Sequence, residues 1–235
     1  MKAMVLAAGK GSRLAPLTNK TPKPLLPVQG RPLIFHLLDQ LEQAGVNEVI
    51  VNTHHLGEQI EHALTRDKGV QLSVRFSREN ELLETGGGIK KALPLLQQPM
   101  FWLCNADIFS DFDFTHLPTT LKDGDLAHLV LVPKPASRDT GDFAFAEGRI
   151  NARGGDYVYA GIGLIHRDLF NGSPSGPFSV RDLFFDAVAQ NKVGAQVHTG
   201  QWTDIGTPND YQSITQVNSS VSYTHLRAHE TQFHL

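Results

Sequence analysis

Residues 6–28, LAAGKGSRLAPLTNKTPKPLLPV, combine glycines, cations and prolines directly after an apolar N-terminal run. Gly9 and Gly11 let backbone amides approach an anion without obstruction by side chains. The positive charges toward the two ends of the stretch are Lys10, Arg13 and Lys23. Four prolines stiffen it, which reduces the entropy that is lost when a flexible ligand is held. This mixture predicts a loop that binds a polyphosphate.

Two common phosphate-binding motifs do not fit this loop. A P-loop places its lysine after the second glycine, whereas Lys10 lies between Gly9 and Gly11. A dinucleotide-binding turn needs a third glycine that opens a helix, and Leu14 occupies that position. A helix beginning near Gly11 would also meet Pro16 in its interior. We therefore expect an extended loop after the first strand.

Two aspartates follow strand-like runs and are candidate magnesium ligands. Asp107 ends the apolar run FWLCNA, and Asp204 lies in WTDIG. Magnesium takes oxygen ligands, usually one or two carboxylates together with substrate phosphates. An isolated aspartate at a strand end more often has a turn or capping role, and that alternative stays open. We interpret Asp111 and Asp113 as solvated or capping residues.

Charge is distributed unevenly along the chain. The formal net charge of the 235 residues is −3, yet residues 1–38 carry six Lys and Arg and no Asp or Glu. The overall balance argues against a nucleic-acid partner held by a broad basic face. We expect a compact anionic ligand to bind the N-terminal part of the chain.

The composition, 40% hydrophobic and 19% charged, predicts a globular protein with a sizeable core. The longest apolar runs, such as MFWLC, are too short for a membrane helix, and the first residues lack a signal-peptide cleavage pattern. The single cysteine, Cys104, has apolar neighbours, so we expect it to be buried rather than nucleophilic. We expect a cytoplasmic protein with no membrane partner.

The spacing of apolar residues predicts an α/β fold in which strands and helices alternate up to Asp107. Beyond that point, three strand-like runs indicate an added antiparallel edge, at 126–133, 142–152 and 157–165. Thr207 is the predicted N-cap of a helix that begins at Pro208. Residues 1–218 form the predicted domain. Residues 219–235 continue no periodicity, and we expect a non-native or disordered tail.

The stretch 6–28 resembles the signature of the sugar-1-phosphate nucleotidylyltransferases. The resemblance covers about residues 1–217, and the motifs NAD at 105–107, GDF at 141–143 and WTDIGT at 202–207 follow in the family's order. It implies a Rossmann-like nucleotide-diphospho-sugar transferase fold, with a mixed, mostly parallel central sheet flanked by helices. ETGGGIKKALPLL and the compact chain are most similar to the N-acetylmuramate 1-phosphate uridylyltransferases of cell-wall recycling.

The resemblance implies a reaction in which a sugar 1-phosphate attacks the α-phosphorus of UTP, with Mg²⁺ as cofactor. It assigns the catalytic roles to Arg13 and Lys23 and the metal to Asp107 and Asp204. The implied nucleotide-binding residues are Ala8, Gly9, Lys10, Gly11, Thr85, Gly86 and Asn105. The implied sugar-binding residues are Gly141 and Asp142. For the glycines of ETGGG, an ordinary turn at the start of a helix is the alternative.

The acceptor sugar stays open. Many relatives carry a Glu-Lys-Pro segment before the strand YAGIGLIH, but RGGDYVYAG stands there in this chain, so the usual sugar-phosphate lysine is missing. A muramyl sugar bears a carboxylate that His166, Arg153 or Arg138 could balance. Glucose 1-phosphate and mannose 1-phosphate are alternative acceptors, and dTTP and GTP are alternative donors.

Two other function classes are weighed against this one. A metal-dependent glycosyltransferase would use a D-x-D motif, which DFD at 111–113 formally fits, but it does not need the triphosphate loop. A non-catalytic regulatory subunit would keep the nucleotide site but lose turnover, and the intact residues Arg13, Lys23, Asp107 and Asp204 argue against it. We expect a monomer.

Overall fold

The computed structural model describes residues 1–66, 69, 71–136 and 138–215. The α-helices are α1 (Leu33–Gln43), α2 (Gly57–Arg66), α3 (Glu84–Leu96) and α4 (Val180–Ala189), and residues 208–215 are also helical. The strands are β1 (Lys2–Leu6), β2 (Pro27–Val28), β3 (Arg31–Pro32), β4 (Glu48–Thr53), β5 (Ser73–Arg78), β6 (Met100–Asn105), β7 (Ile108–Ser110), β8 (Ala127–Pro133), β9 (Phe143–Ala146), β10 (Arg149–Arg153), β11 (Tyr157–His166), β12 (Val193–Val197) and β13 (Trp202–Asp204). The predicted tail at 219–235 lies outside the described residues. No helix in the described ranges is long and apolar enough to span a membrane.

A nine-stranded sheet has the order β5-β4-β1-β6-β11-β8-β12-β10-β9. The first four strands are parallel neighbours, whereas β11 pairs antiparallel with both β6 and β8. Within this sheet β11 and β10 run against the direction shared by the other strands. The predicted α/β fold with a mixed, mostly parallel sheet is therefore confirmed.

The strands that were predicted to form an antiparallel edge lie only partly at the edge of the sheet. The hairpin of β9 and β10 does lie at one margin of the sheet, but β11 runs through the interior between β6 and β8. Most residues of β11 are buried. A strand covered on both faces needs a nearly continuous apolar run rather than alternation, and YAGIGLI is such a run. The expectation of an edge position was wrong for β11, and it was also wrong for β8, which lies between β11 and its parallel neighbour β12.

Helices cover both faces of the sheet because successive strand residues point to opposite sides. Ala3 and Val5 of β1 join a core with residues of α1 and α2, whereas Met4 joins a core with residues of α3 and α4. Cys104 is completely buried in the first of these cores, as predicted.

The first four strands create a topological switch point between β1 and β6. The chain runs outward from β1 through β4 to β5 and then returns to β6 on the other side of β1. The loops after β1 and β6 leave in different directions, which opens a crevice where ligands bind in open α/β sheets. The glycine-rich stretch follows β1 and Asp107 follows β6, so the two lie at the same sheet edge.

A third, smaller core lies beneath the segment that follows β1. Its buried residues are Leu14, Leu26, Val28, Leu33, Phe109, Ile205 and Ile214. Tyr211 packs against this cluster, and its hydroxyl donates to the Pro27 carbonyl at 2.8 Å. The predicted N-cap is confirmed, because the Thr207 hydroxyl accepts from the Asp210 amide at 3.3 Å. The helical segment 208–215 thus helps to hold the segment after β1 in place.

Candidate active site

The glycine-rich loop, residues 7–26, is folded into short turns rather than extended. Its three 3₁₀ turns are Ser12–Leu14, Leu17–Asn19 and Lys23–Leu25. Pro16 and Pro22 directly precede turns, and Pro24 lies in the first positions of one, where its missing N–H is tolerated. The prolines exclude a long helix but permit single turns, so the prediction of an extended loop was wrong.

The two glycines of this loop have different surroundings. Gly11 has a left-handed φ of 62°, and a Cβ there would lie 2.9 Å from Thr18 Cγ2. The Thr18 hydroxyl donates to the Gly11 carbonyl at 2.9 Å, which closes the turn. A Cβ on Gly9 would meet nothing within 4 Å. In the part of the chain that is described, the amides of residues 8–11 donate to no protein acceptor, so they are available to an anion.

Arg13 and Lys10 are exposed cations of the same loop. The Arg13 guanidinium lies against Gly206, where a Cβ would be 3.2 Å from Arg13 Nη1. Arg13 makes no hydrogen bond or ion pair with the described residues. It lines a crevice together with Gly9, Gly11, Lys23, Asp107 and Gly206. An anion in this crevice would meet free amides and a free guanidinium.

Lys23 lies between the two predicted metal ligands. Its Nζ is 2.7 Å from Asp107 Oδ2 and 3.9 Å from Asp204 Oδ1. The lysine side chain is 9% exposed, whereas the carboxylates are 38% and 40% exposed. The ammonium is therefore held inside the protein while both carboxylates remain open to the crevice and to solvent.

Pairing of β7 with β13 brings Asp204 to Asp107. The two strands are antiparallel, with Asp204 opposite Ile108, and the Ile205 amide donates to the Asp107 carbonyl at 3.1 Å. Phe109 and Ile205 anchor this small sheet in the core beneath the glycine-rich loop. The convergence of the two aspartates thus depends on contacts between segments almost a hundred residues apart in sequence.

The pKa of Asp204 is raised above its usual value. Burial is the largest cause, and the neighbouring Asp107 carboxylate raises the pKa further, whereas Lys23 and Arg13 oppose the shift. Burial and the neighbouring carboxylate therefore outweigh the effect of the two cations. A further positive charge beside Asp204, such as a divalent cation, would favour its ionised form.

Thr85 and Asn105 lie on the other side of the switch point, in a cleft lined also by Ala8, Gly9 and Asp107. The Thr85 side chain is partly committed, because its hydroxyl accepts from the Val180 amide at 3.0 Å. Asn105 lies beside Gly161 of β11, because a Cβ at Gly161 would be 3.0 Å from Asn105 Nδ2. These two predicted nucleotide-binding residues therefore face the same cleft as the glycine-rich loop.

Gly86 does not offer its amide to this cleft. The amide donates to the Phe178 carbonyl at 2.8 Å, and a Cβ at Gly86 would lie 2.3 Å from the Phe178 ring. The glycine is required for close packing of α3 against the segment before α4. We therefore correct the interpretation of Gly86 as a nucleotide-binding donor, since the geometry gives it a packing role.

Gly141 and Asp142 adjoin a second pocket next to the cleft. A Cβ on Gly141 would lie 2.4 Å from the Tyr157 carbonyl, so this glycine serves close backbone packing. Asp142 lines the pocket, accepts from the Tyr159 amide at 3.2 Å and lies 3.6 Å from Arg138. Of this predicted pair, Asp142 alone is a lining residue of the pocket.

Arg181 is a pocket residue that the sequence analysis missed. It lines the same pocket as Asp142, makes no ion pair with the described residues, and its guanidinium carbon lies 5.8 Å from the centroid of the Phe185 ring. Arg153, one of the cations considered from sequence, stacks on the Phe185 ring at 3.9 Å, and His166 pairs with Asp168 at 3.5 Å. Arg181 stands in the first turn of α4, where an arginine resembles many solvated helix residues, so the sequence held no signal for it.

Known proteins share the sequence of this site and its fold. Residues 2–142 match the family model described as Nucleotidyl transferase. An N-acetylmuramate alpha-1-phosphate uridylyltransferase from Neisseria meningitidis serogroup B is 40% identical over 216 residues, which cover 88% of this chain and 94% of that protein. A protein of the same name from Caulobacter vibrioides is 34% identical over 222 residues, with 88% and 92% covered.

A solved structure agrees with these relatives. The crystal structure of HddC from Yersinia pseudotuberculosis has a TM-score of 0.78 and 25% sequence identity to this chain. The match covers 92% of this chain and 99% of that one. Because the family model spans more than half of the chain and both relatives are similar over nearly their whole length, this chain belongs to the nucleotidyl transferase family and is a sugar-1-phosphate nucleotidyltransferase.

Proposed function

We propose that this enzyme transfers the uridylyl group of UTP to N-acetylmuramate 1-phosphate, giving a UDP-sugar and pyrophosphate. The observation that carries the chemistry is the charge distribution at the crevice. Free amides and Arg13 line one part of it, and Lys23 lies between Asp107 and Asp204 in the other. The names of the two relatives support the uridylyl donor and the muramyl acceptor.

In the proposed reaction, an oxygen of the sugar phosphate attacks the α-phosphorus of UTP in line. A new P–O bond forms as the bond to the β-phosphate breaks, and pyrophosphate leaves. Such chemistry depends on positioning and charge neutralisation. We assign the loop amides and Arg13 to the departing pyrophosphate and Lys23 to the α-phosphate or the incoming sugar phosphate.

The donor set at Asp107 and Asp204 fits magnesium. Two partly exposed carboxylates lie around the same ammonium, and no cluster of three acidic, His or Cys ligands occurs in the described ranges. Magnesium commonly takes one or two carboxylates and completes its shell with water and substrate phosphates. When bound, Mg²⁺ would neutralise phosphate charge, while the two aspartates would hold it at the carboxyl edge of the sheet.

We place the nucleoside in the cleft of Ala8, Gly9, Thr85 and Asn105, and the acceptor sugar in the neighbouring pocket of Asp142 and Arg181. The two cavities share Thr85 and Asn105, so a nucleotide and a sugar phosphate could meet there. Arg181 supports an acceptor with a carboxylate. Among the described residues it has no carboxylate partner, and arginine binds carboxylates through two parallel hydrogen bonds.

The test is magnesium-dependent pyrophosphate release from UTP, dTTP and GTP, each combined with four acceptors. These are the 1-phosphates of N-acetylmuramate, N-acetylglucosamine, glucose and mannose. The proposal expects release with UTP and the muramyl acceptor. Another productive pair would assign the enzyme to a different substrate within the family.

The contribution of Arg181 can be isolated with a matched substrate pair. N-acetylmuramate differs from N-acetylglucosamine by its lactyl group, which carries the carboxylate. Arg181→Gln should raise the KM for the muramyl acceptor by about tenfold, the size of one lost hydrogen bond between charged groups. The KM for N-acetylglucosamine 1-phosphate should stay the same. An equal change for both sugars would contradict a contact with the carboxylate.

The structure weakens the glycosyltransferase alternative. Asp113 caps the turn Phe114–His116, accepting from the Thr115 amide at 2.8 Å, and Asp111 lies 3.0 Å from His198 Nε2. Both acidic residues of the DFD motif therefore have structural partners. A regulatory subunit would instead bind nucleotide but remain inactive throughout the substrate panel.

The proposal also includes a monomer that acts in the cytoplasm during cell-wall recycling. Light scattering of the purified chain tests the monomer. Accumulation of N-acetylmuramate 1-phosphate in cells that lack the enzyme tests the role in recycling.

A further inference from the structure

A buried amide–carboxylate pair, Asn52 and Glu79, lies at the back of the cleft that holds Thr85 and Asn105, and Asn52 is one of the residues that line this cleft. Asn52 lies near the carboxyl end of β4, and Glu79 directly follows the carboxyl end of its parallel neighbour β5. They are 2% and 5% exposed. In the described part of the chain Glu79 has no cationic partner, so its buried carboxylate depends on hydrogen bonds.

Three hydrogen bonds run through this pair from one wall of the cleft to the other. Asn52 Oδ1 accepts from the Ala7 amide at 2.8 Å, and Asn52 Nδ2 donates to Glu79 Oε1 at 2.7 Å. Glu79 Oε2 accepts from the Leu83 amide at 3.0 Å. Ala7 directly precedes the free amides of the glycine-rich loop, and Leu83 directly precedes α3, of which Thr85 is the second residue.

The packing of α3 onto the pair is equally close. A Cβ at Gly88 would lie 2.6 Å from Glu79 Oε1 and 2.8 Å from Asn52 Nδ2. The backbone of the Glu79 segment is also held, because its carbonyl lies 3.0 Å from His54 Nδ1 and its amide donates to the Thr53 carbonyl at 2.8 Å. The two side chains are therefore held between Ala7 on one wall of the cleft and Leu83 on the other.

We propose that Asn52 and Glu79 are positioning residues that set the separation between the glycine-rich loop and the start of α3, and thereby the affinity for the nucleoside triphosphate. Asn52 also lines the cleft, but its amide oxygen and nitrogen and both Glu79 carboxylate oxygens are hydrogen-bonded within the protein, so the pair acts through Ala7 and Leu83. The inference rests on the proposed placement of the nucleotide in this cleft.

Exchanging the side-chain amide and the carboxylate between positions 52 and 79 tests the proposal. Asn52→Asp places two carboxylate oxygens against each other, and Glu79→Gln cannot accept from both Asn52 and Leu83. In the double variant, the new amide donates to the new carboxylate, and the acceptors for Ala7 and Leu83 are retained. The total charge equals that of the original pair.

Each single variant should raise the Kd and the KM for UTP about tenfold, the size expected for one lost hydrogen bond to a charged group, with kcat within about twofold. The double variant should recover both constants. Glu61→Gln is the control, because Glu61 of α2 accepts from Arg78 Nε at 2.9 Å and from the Thr53 hydroxyl at 3.0 Å, beside the ends of the same two strands. We expect it to lower Tm without changing the affinity for UTP.

UTP binding is measured by calorimetry in the presence of Mg²⁺, in addition to turnover. Because the binding measurement needs no acceptor, it tests the role of Asn52 and Glu79 even if the enzyme uses another acceptor sugar. If wild type binds no UTP, the proposed donor fails, and the same variants are measured with GTP. The inference is overturned if the single variants lose stability but keep their nucleotide affinity. It is also overturned if the double variant recovers Tm but not Kd. Where a single variant does not fold, the double variant alone must show a Kd close to that of wild type.

Discussion

Lys23→Met tests whether the lysine serves the reaction or only neutralises the aspartates. Methionine retains most of the aliphatic stem, which is buried, and removes the ammonium that lies 2.7 Å from Asp107. Removing one partner of a fully buried ion pair costs about 3–5 kcal/mol. Both carboxylates here are more than one-third exposed, so solvent screening reduces the expected loss to about 1–2 kcal/mol.

For a domain of this size, that loss corresponds to a decrease in Tm of roughly 2–8 °C without magnesium. The two carboxylates then face each other without the intervening charge, so we expect Mg²⁺ to raise the Tm of Lys23→Met more than that of wild type. Loss of a charged hydrogen bond to a phosphate should lower kcat/KM by about 10- to 150-fold.

The assays are thermal unfolding with and without Mg²⁺ and pyrophosphate release at varied Mg²⁺. Lys20→Met is the matched control, because Lys20 is an exposed lysine of the same loop. Activity of Lys23→Met within threefold of the control would refute the catalytic role. An equal Mg²⁺-induced change in Tm for Lys23→Met and wild type would refute the placement of the cation between the two aspartates.

Three further perturbations follow from the geometry. The raised pKa of Asp204 means that folding stability is lost as the pH rises through that pKa. Asp204→Asn should therefore raise the Tm of the metal-free protein, and the increase should grow from acidic to neutral pH. The same variant should abolish pyrophosphate release. A fall in Tm at neutral pH would contradict this. Gly9→Ala should leave Tm nearly unchanged and raise the KM for UTP, because a methyl group at that position points only into the crevice. Gly86→Ala should lower Tm strongly, because its methyl group would collide with Phe178. Equal changes in Tm would argue against the different roles of these glycines. Because burial raises the pKa of the Cys104 thiol, its reaction with a thiol reagent should require unfolding, and rapid labelling of the native protein would disprove its burial.

The positions of Lys23 and Asp107 relative to the fold were predictable from local sequence. A glycine- and proline-rich segment after an apolar run predicts a loop at a strand end, and the apolar run before Asp107 predicts a second strand that ends there. Parallel strands share one carboxyl edge, which is where the structure places both residues. The family signature in the same loop added the chemistry of nucleotidyl transfer.

Other parts of the site were not predictable because they depend on side-chain packing. Gly86 belongs to a motif that suits a ligand, yet the carbonyl and ring of Phe178 occupy that side of the glycine. Asn52 and Glu79 lie at the ends of ordinary strands, and only the folded chain shows that their side chains meet. Arg181 becomes a candidate ligand residue because α4 places it beside Asp142.

The sequence by itself determined the type of chemistry, since the residues that can bind phosphates are concentrated in one short segment, and it determined the alternation of strands and helices. The tertiary structure decided which distant groups join that segment. Asp204 reaches Lys23 because β13 pairs with β7, and that pairing is stabilised by burial of Phe109 and Ile205 with Leu14 of the loop. Local periodicity carries no information about such a contact, because its free energy arises only when remote apolar surfaces are removed from water together.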